Sequence, residues 1–331
     1  MAELIGFAQH GPGPRLSLVP DGKFPGNYAQ KGQITCRLHI ADAGVLANLT
    51  AGNAANSIPA TAYLTLPDAP RDLTVDGLRG LGAGRITLRP TELGLTIHAQ
   101  GIAGHAAFPD GTLSAAIVLL DALRELDLLP ERERTLATQL QQIFTSPHGE
   151  GIGLAQEDEP SGKLTLNAGL WQSTTPGSLT LLADIRYPVT LEGNTIITTL
   201  RDGLATLTND ITLVDGWRDV PPFYLPEEDS TRQLLQQSWH DVTGRTEPAY
   251  SMGGVTHSKV LPRATTFGPG YLRTEANSPD FLPIGHGLPH GADEVIHLPS
   301  LLAALPVYVI ALIRLDAALH AQNQEKPSHA R

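Results

Sequence analysis

Apolar and polar positions alternate along several stretches of the chain. Ile34, Cys36, Leu38 and Ile40 recur at every second position and predict a strand within residues 33–50. Residues 60–66, Ala-Thr-Ala-Tyr-Leu-Thr-Leu, read as another. Over 92–102, Leu93, Leu95, Ile97 and Ala99 take one face while Thr96 and His98 take the other. That is the signature of a half-buried antiparallel strand. Residues 178–187 form a further strand stopped by Pro188, and one more is expected around Ile211 to Val214.

The period becomes helical over 112–128, where Leu113, Ile117, Leu120 and Leu123 line one face and Asp121, Arg124 and Glu125 lie off it. Helices are also expected over 132–144 and 192–208. Strands mixed with two or three helices make the middle of the chain an α+β domain on an antiparallel sheet. Pro221-Pro222-Phe223-Tyr224-Leu225-Pro226 marks a domain crossing. Beyond it, Asp229 or Ser230 caps a helix that Gly244 stops, and a strand follows near Ala264–Phe267. Residues 11–32 and 268–293 read as loop. The apolar run Leu301 to Ile313 is interrupted by Pro306 and ends in Arg314 and Asp316. It is shorter than the ~18–20 residues that span a bilayer, so a buried core helix is expected. The polar tail from Gln322 is expected to fray.

Composition narrows the function classes. With 41% hydrophobic residues, the 331-residue chain can build a core, and its length fits about two domains of ~100–200 residues. The 33 Gly and 26 Pro argue against a coiled coil. A formal charge of −11 repels phosphate backbones and argues against nucleic-acid binding. The single Cys36 rules out an internal disulfide framework and fits a reducing compartment. Met1 to Phe7 lack the pattern of a secretion signal, so a soluble, cytoplasmic protein without a membrane anchor is expected.

Five segments could carry chemistry, and each also has a plain structural explanation. Pro20-Asp21-Gly22 is a turn in which Asp bonds its own backbone, or a rigid loop offering a metal-binding carboxylate. His105 lies between a strand and a helix among small residues, either solvated or placed to stabilise an oxyanion. Arg186 can pair with a neighbouring carboxylate or grip a substrate's. Gly253 and Gly254 form an ordinary turn or allow close backbone approach to a ligand, with Thr256 and Ser258 adding hydroxyls. His290 sits between Pro and Gly before the last helix, where it could ligate a metal beside Asp293 and Glu294.

The order of these segments is far more specific than any one of them. "VPDGKFPGNYAQKG", "AGNAANSIPATAYLTL", "GIAGHAAFPDGTLSA", "DIRYP", "GGVTHSKVLPRATTFGPG" and "GLPHGADEVIHLPSLLAALPVYVIALIRL" together resemble the metallopeptidase M20 family. The branch is that of the Xaa-His and PepV-like dipeptidases, and the resemblance runs from about residue 10 to 318. It implies an α/β catalytic domain of the zinc-peptidase kind with an inserted α+β lid. Two divalent metals, zinc or manganese, and a small peptide substrate are implied with it. Asp21 and His290 match ligands of the two different metals, and His105 matches the lid histidine that stabilises the oxyanion. Asn56 and Arg186 match lid residues that hold substrate, and the loop at Gly253, Gly254 and Thr256 lines the site. The implied division is 1–32 and 226–322 for the catalytic domain, 33–225 for the lid and 323–331 for a tail.

The family pattern also has a His-x-Asp, a bridging aspartate and a Glu-Glu pair upstream of the position of Asp21. Glu3 and His10 are the groups available there, and neither has the required neighbours. The expectation is a truncated dipeptidase, inactive alone because metal, base and water act as a unit. An N-terminal partner chain or a homo-oligomer would complete it. The alternative is a non-catalytic remnant that recognises peptide carboxylates.

Overall fold

The computed structural model describes residues 6, 13–70, 72–261, 263–270, 281–282, 293 and 295–324. The chain forms two compact units, Met1–Gln30 with Phe223–Arg331, and Lys31–Pro222.

The first unit opens with β1 (Ser17–Val19), β2 (Gly22–Lys23) and β3 (Asn27–Gln30), in a stretch whose turn residues had predicted only loop. The second unit follows with β4 (Gly32–Ile40), β5 (Thr50–Gly52), β6 (Ser57–Ile58), β7 (Thr61–Leu66), β8 (Ile86–Thr91), β9 (Gly94–Gln100) and β10 (Gly104–His105). Helices α1 (Ala115–Glu125) and α2 (Glu131–Phe144) come next. Then follow β11 (Glu157–Asp158), β12 (Gly162–Lys163), β13 (Thr165–Gln172), β14 (Leu179–Tyr187), helix α3 (Gly193–Leu207) and β15 (Thr212–Val220). The chain returns to the first unit through β16 (Phe223–Tyr224), α4 (Ser230–Thr243), β17 (Tyr250–Met252), β18 (Ala264–Thr266), β19 (Pro269–Gly270) and α5 (Leu298–Gln324).

Eight strands of the second unit form one sheet in the order β15-β4-β14-β13-β5-β7-β9-β8. Every neighbouring pair in it is antiparallel. The alternation seen in sequence explains the register. Ile34, Cys36, Leu38 and Ile40 of β4 are all at most 2% exposed, with Leu95, Ile97 and Ala99 of β9 equally buried. All of them but Leu95 pack with the apolar stripes of α1, α2 and α3 into one core. Leu93, expected on the buried face, is 78% exposed because the strand starts one residue later, at Gly94.

The first unit pairs its strands differently. β1 with β18, β3 with β17 and β2 with β19 are parallel, as in an α/β domain. Its core is aromatic: Phe24 stacks on Trp239 with ring centres 4.8 Å apart and meets Phe267 edge-on at 4.9 Å. The Tyr308 hydroxyl donates to the Phe267 carbonyl at 2.6 Å, which locks α5 to the strand end. Gly268 has φ +58°, and a Cβ there would stand 2.4 Å from the Phe24 ring, so glycine is required on both counts. Helix α4 starts as expected, with the Asp229 carboxylate accepting the Arg232 N–H at 2.9 Å, and ends at Gly244 with φ +67°.

Helix α5 differs from the expected short core helix. It runs 27 residues with Pro306 inside it. The stretch Leu298–Ala321 is long and apolar enough to cross a membrane by length and composition, and only 22% of its most apolar window is buried. Ala304, Val307, Ala311 and Leu315 on one side pack into the aromatic core. The run looked shorter because charged Arg314 and Asp316 were taken as its end, whereas the helix carries them within it.

Candidate functional site

In the second unit a two-residue antiparallel ladder sets His105 opposite Ser57 and Gly104 opposite Ile58. The Ala106 N–H donates to the Asn56 carbonyl at 2.9 Å. This brings Asn56 and His105 together, with Nδ2 and Nε2 3.5 Å apart. The Ala107 N–H donates to His105 Nδ1 at 3.0 Å. With Nδ1 accepting, the proton of a neutral ring sits on Nε2, and the facing Asn56 amide pairs with it only when turned to present its oxygen. An Nε2–H fixed by backbone is the kind of donor that stabilises charge building on an oxygen.

Two residues outside the sequence-derived set brace this pair. The Asn167 side chain, 7% exposed, donates to the carbonyls of Ala55 at 3.2 Å and Ser57 at 2.9 Å. At Gly169 a Cβ would stand 2.1 Å from the Ala54 carbonyl oxygen and 2.4 Å from that of Ala55. Only glycine lets the 54–57 loop lie that close to β13. The signal in sequence was an asparagine and a glycine inside the mostly apolar run Leu164 to Trp171.

Arg186 is 3% exposed and lies on β14 beside Asp184, which is fully buried. Its Nε reaches Asp184 Oδ1 at 2.5 Å and its Nη2 reaches Oδ2 at 3.1 Å. Gln33 Nε2 donates to the same Oδ2 at 2.7 Å. Across the ladder Asp184 stands opposite Asn167, and Arg186 opposite Thr165. Side chains alternate along a strand, so these four residues share one face. Asn167 therefore links the face of Arg186 to the loop of Asn56.

In the first unit Asp21 sits at the turn between β1 and β2, its N–H bonded to the Val19 carbonyl at 2.9 Å. Its side chain is open to solvent, and Oδ2 lies 3.7 Å from Nδ1 of His257. His257 was not singled out in sequence, where it stood as one residue of a glycine-led turn. Next to the Asp21 turn, the Tyr250 hydroxyl accepts the Lys23 N–H at 2.7 Å, and burial holds that phenol above its usual range.

Thr256 and Ser258 turn inward, each 3% exposed. Gln30 Nε2 donates to Thr256 Oγ1 at 2.9 Å and Ser258 Oγ at 2.8 Å, while its Oε1 accepts the Thr256 N–H at 3.1 Å. Thr256 also shares a 2.6 Å hydroxyl bond with Thr266. The Thr256 hydroxyl is thus occupied in holding the turn. His290 lies outside the described residues.

A two-metal centre needs several converging ligands and a shared bridge. Among the described residues no group of three or more His, Cys, Asp or Glu side chains converges. The described donor set around Asp21 is one carboxylate and one imidazole, which does not fit a dinuclear centre.

No family model matches the chain. Among solved structures, a tripeptidase from Staphylococcus aureus aligns with a TM-score of 0.46 and 12% identity, covering 95% of this chain and 61% of its own. In sequence, the chain is 24% identical over 321 residues to "Putative dipeptidase YtjP" of Bacillus subtilis, covering 93% of this chain and 65% of that protein. It is 21% identical over 319 residues to the Beta-Ala-Xaa dipeptidase of Lactobacillus delbrueckii subsp. lactis, covering 93% of this chain and 64% of that protein. The chain spans just under two thirds of the length of these relatives. The similarity to several dipeptidases is sustained over nine tenths of this chain, and the chain resembles the M20-type dipeptidases.

Proposed function

We propose that this chain supplies the substrate-binding part of an M20-type, metal-dependent dipeptidase and is inactive by itself. The observation that carries this reading is the Asn56–His105 pair, in which a backbone N–H on Nδ1 leaves the imidazole proton on Nε2. In it, His105 donates to the carbonyl oxygen of the scissile bond as charge develops there. Asn56 orients the same group. Arg186, 3% exposed and already paired with Asp184, stiffens the face that carries Asn167 rather than gripping the peptide's C-terminal carboxylate directly. Asp21 and His290 are metal ligands, Gly253 and Gly254 line the site, and the remaining ligands and the general base come from a polypeptide with His-x-Asp and Glu-Glu segments. The long matches to dipeptidases support the substrate class.

The test is dipeptide hydrolysis with added manganese, zinc or cobalt. The pure chain is expected to show no turnover. Mixing it with a polypeptide that carries His-x-Asp and Glu-Glu segments is expected to give turnover that His105→Ala abolishes. Robust turnover by the pure chain overturns the claim of inactivity, and turnover of the mixture indifferent to His105 overturns the role of the imidazole.

A second reading is a peptide-binding module without catalysis, which the Asn56–His105 pair would serve equally. It is distinguished by calorimetry: dipeptide binding that needs no metal, together with an inactive mixture, supports it.

A further inference from the structure

We propose that Phe108 is the specificity-determining residue of the site, and that it selects dipeptides carrying a bulky apolar side chain next to the scissile bond. This rests on the reading of His105 as the donor to the scissile carbonyl. It adds the class of side chain that the site accepts.

Phe108 is 59% exposed, although a phenyl ring gains much from burial. Exposure alone decides nothing, since single apolar side chains are common on protein surfaces. Position separates this one from the rest. The Phe108 ring centre lies 5.9 Å from that of the His105 imidazole. The Phe108 N–H donates to the His105 carbonyl at 2.9 Å, so one tight turn carries both rings.

That turn is held from both sides. Ile102 and Leu113 close the base of the segment with N–H to carbonyl bonds of 2.8 and 3.0 Å. After the turn, the hydroxyl and the N–H of Thr112 both donate to the Pro109 carbonyl, at 2.6 and 3.1 Å. The residues between the two rings, Ala106 and Ala107, are buried, and so is Pro109. The segment therefore tucks its small residues inside and leaves the phenyl ring in water at the flank of the imidazole. A ring fixed in this way loses little freedom when a ligand covers it.

The chemistry of the ring states the class of ligand. An oxygen that accepts from His105 Nε2 stands beside the same imidazole that Phe108 flanks. The side chains on either side of that carbonyl are the parts of a dipeptide that can cover the ring. An aliphatic or aromatic side chain gains by doing so, glycine has nothing to offer, and a charged group loses hydration there without a partner.

Proton NMR titration of the pure chain with leucylglycine, glycylleucine and glycylglycine tests this. An aromatic ring current moves methyl resonances that lie over its face upfield. The leucine methyls of at least one leucyl dipeptide should therefore move upfield on saturation with wild type, and not with Phe108→Ala. Wild type should prefer that dipeptide to glycylglycine by about tenfold, the low end of what a missing methylene costs in an apolar pocket. Phe108→Ala should bind all three alike, and Phe108→Leu should keep the preference without the ring shift. Comparison of leucylglycine with glycylleucine tells which residue of the dipeptide meets the ring. His105→Ala should weaken all three by a similar factor. The Phe108 side chain is already in water, so circular dichroism and thermal midpoint of its variants should match wild type. A leucine preference that survives Phe108→Ala, or a parallel loss of all three ligands in that folded variant, overturns the proposal and leaves the role of His105 standing. Binding of no dipeptide by wild type overturns the substrate-binding reading, and the proposal with it.

Discussion

Asp184 and Arg186, two residues apart on β14, form a two-point ion pair sealed from solvent, with contacts of 2.5 and 3.1 Å. Arg186 is 3% exposed and Asp184 is fully buried. Two charges at this depth are tolerable only because each answers the other and Gln33 answers the remaining lone pair. Removing one partner leaves a buried charge without its counter-ion. Asp184→Asn and Arg186→Met should each destabilise the chain by about 3–5 kcal/mol. The double variant should recover a large part of that loss. Urea unfolding of all four proteins measures the coupling; additive losses would show that the pair is not a unit.

The brace under Asn56 makes a separate prediction. Asn167→Leu leaves the carbonyls of Ala55 and Ser57 without their donor, at a cost of about 1–3 kcal/mol. Gly169→Ala pushes the same loop away, since its methyl would meet two backbone oxygens inside 2.5 Å. Both variants should weaken dipeptide affinity in calorimetry although neither side chain reaches the Asn56–His105 pair. Unchanged affinity in a folded Gly169→Ala protein would show that the loop's position does not matter to the site.

Cys36 gives a pH dependence whose sign is fixed. Burial, with a smaller push from the charge of Asp184, raises its thiol to about 12. In the unfolded chain the thiol ionises near ~8.5. Between those values the native state holds a proton that the unfolded state has lost, so stability falls as pH rises through the window. The contribution is whole below ~8.5 and gone above the native value. Cys36→Ala should remove this part of the alkaline slope in urea midpoints taken from neutral to high pH. The same burial predicts that a thiol reagent labels Cys36 only as the chain unfolds.

Much of this was legible in sequence because period 2 and period 3.6 both report burial directly. The strands at Ile34–Ile40 and Leu95–Ala99 and the helices at 115–125 and 193–207 follow from it. β13 was not legible, because it is buried on both faces and carries Thr165, Asn167 and Gly169 on one of them for reasons visible only in the loop and strand they meet. The short parallel strands of 17–30 were hidden by turn residues, since each is only two to four residues long. In the site, residue types pointed to Asp21, His105 and Arg186, and the family resemblance added Asn56. A neighbouring carboxylate for Arg186 was readable two residues away, whereas Asn167, Gln30 and His257 were not, because contacts between distant segments depend on register.

The outer side of α5 supports the last prediction. Leu298, Leu302, Leu305, Val309 and Leu312 are each 54–59% exposed. Their spacing alternates four and three, the repeat of a helix that packs on another helix. The seam continues into an open groove of about 530 Å³ lined by Leu16, Leu18, Pro20, Tyr308, Leu312 and Leu315. The opposite side, with Ala304, Val307 and Ala311, is already committed to the aromatic core. A helix apolar all round gains by covering its second side, and an exposed stripe of this kind drives association. The chain should therefore self-associate as its concentration rises, to a degree measurable by sedimentation velocity. Leu305→Lys with Leu312→Lys should hold it monomeric while changing stability by no more than about 0.5 kcal/mol per site, since both side chains are already in water. Association undiminished in that double variant would place the contact elsewhere on the chain.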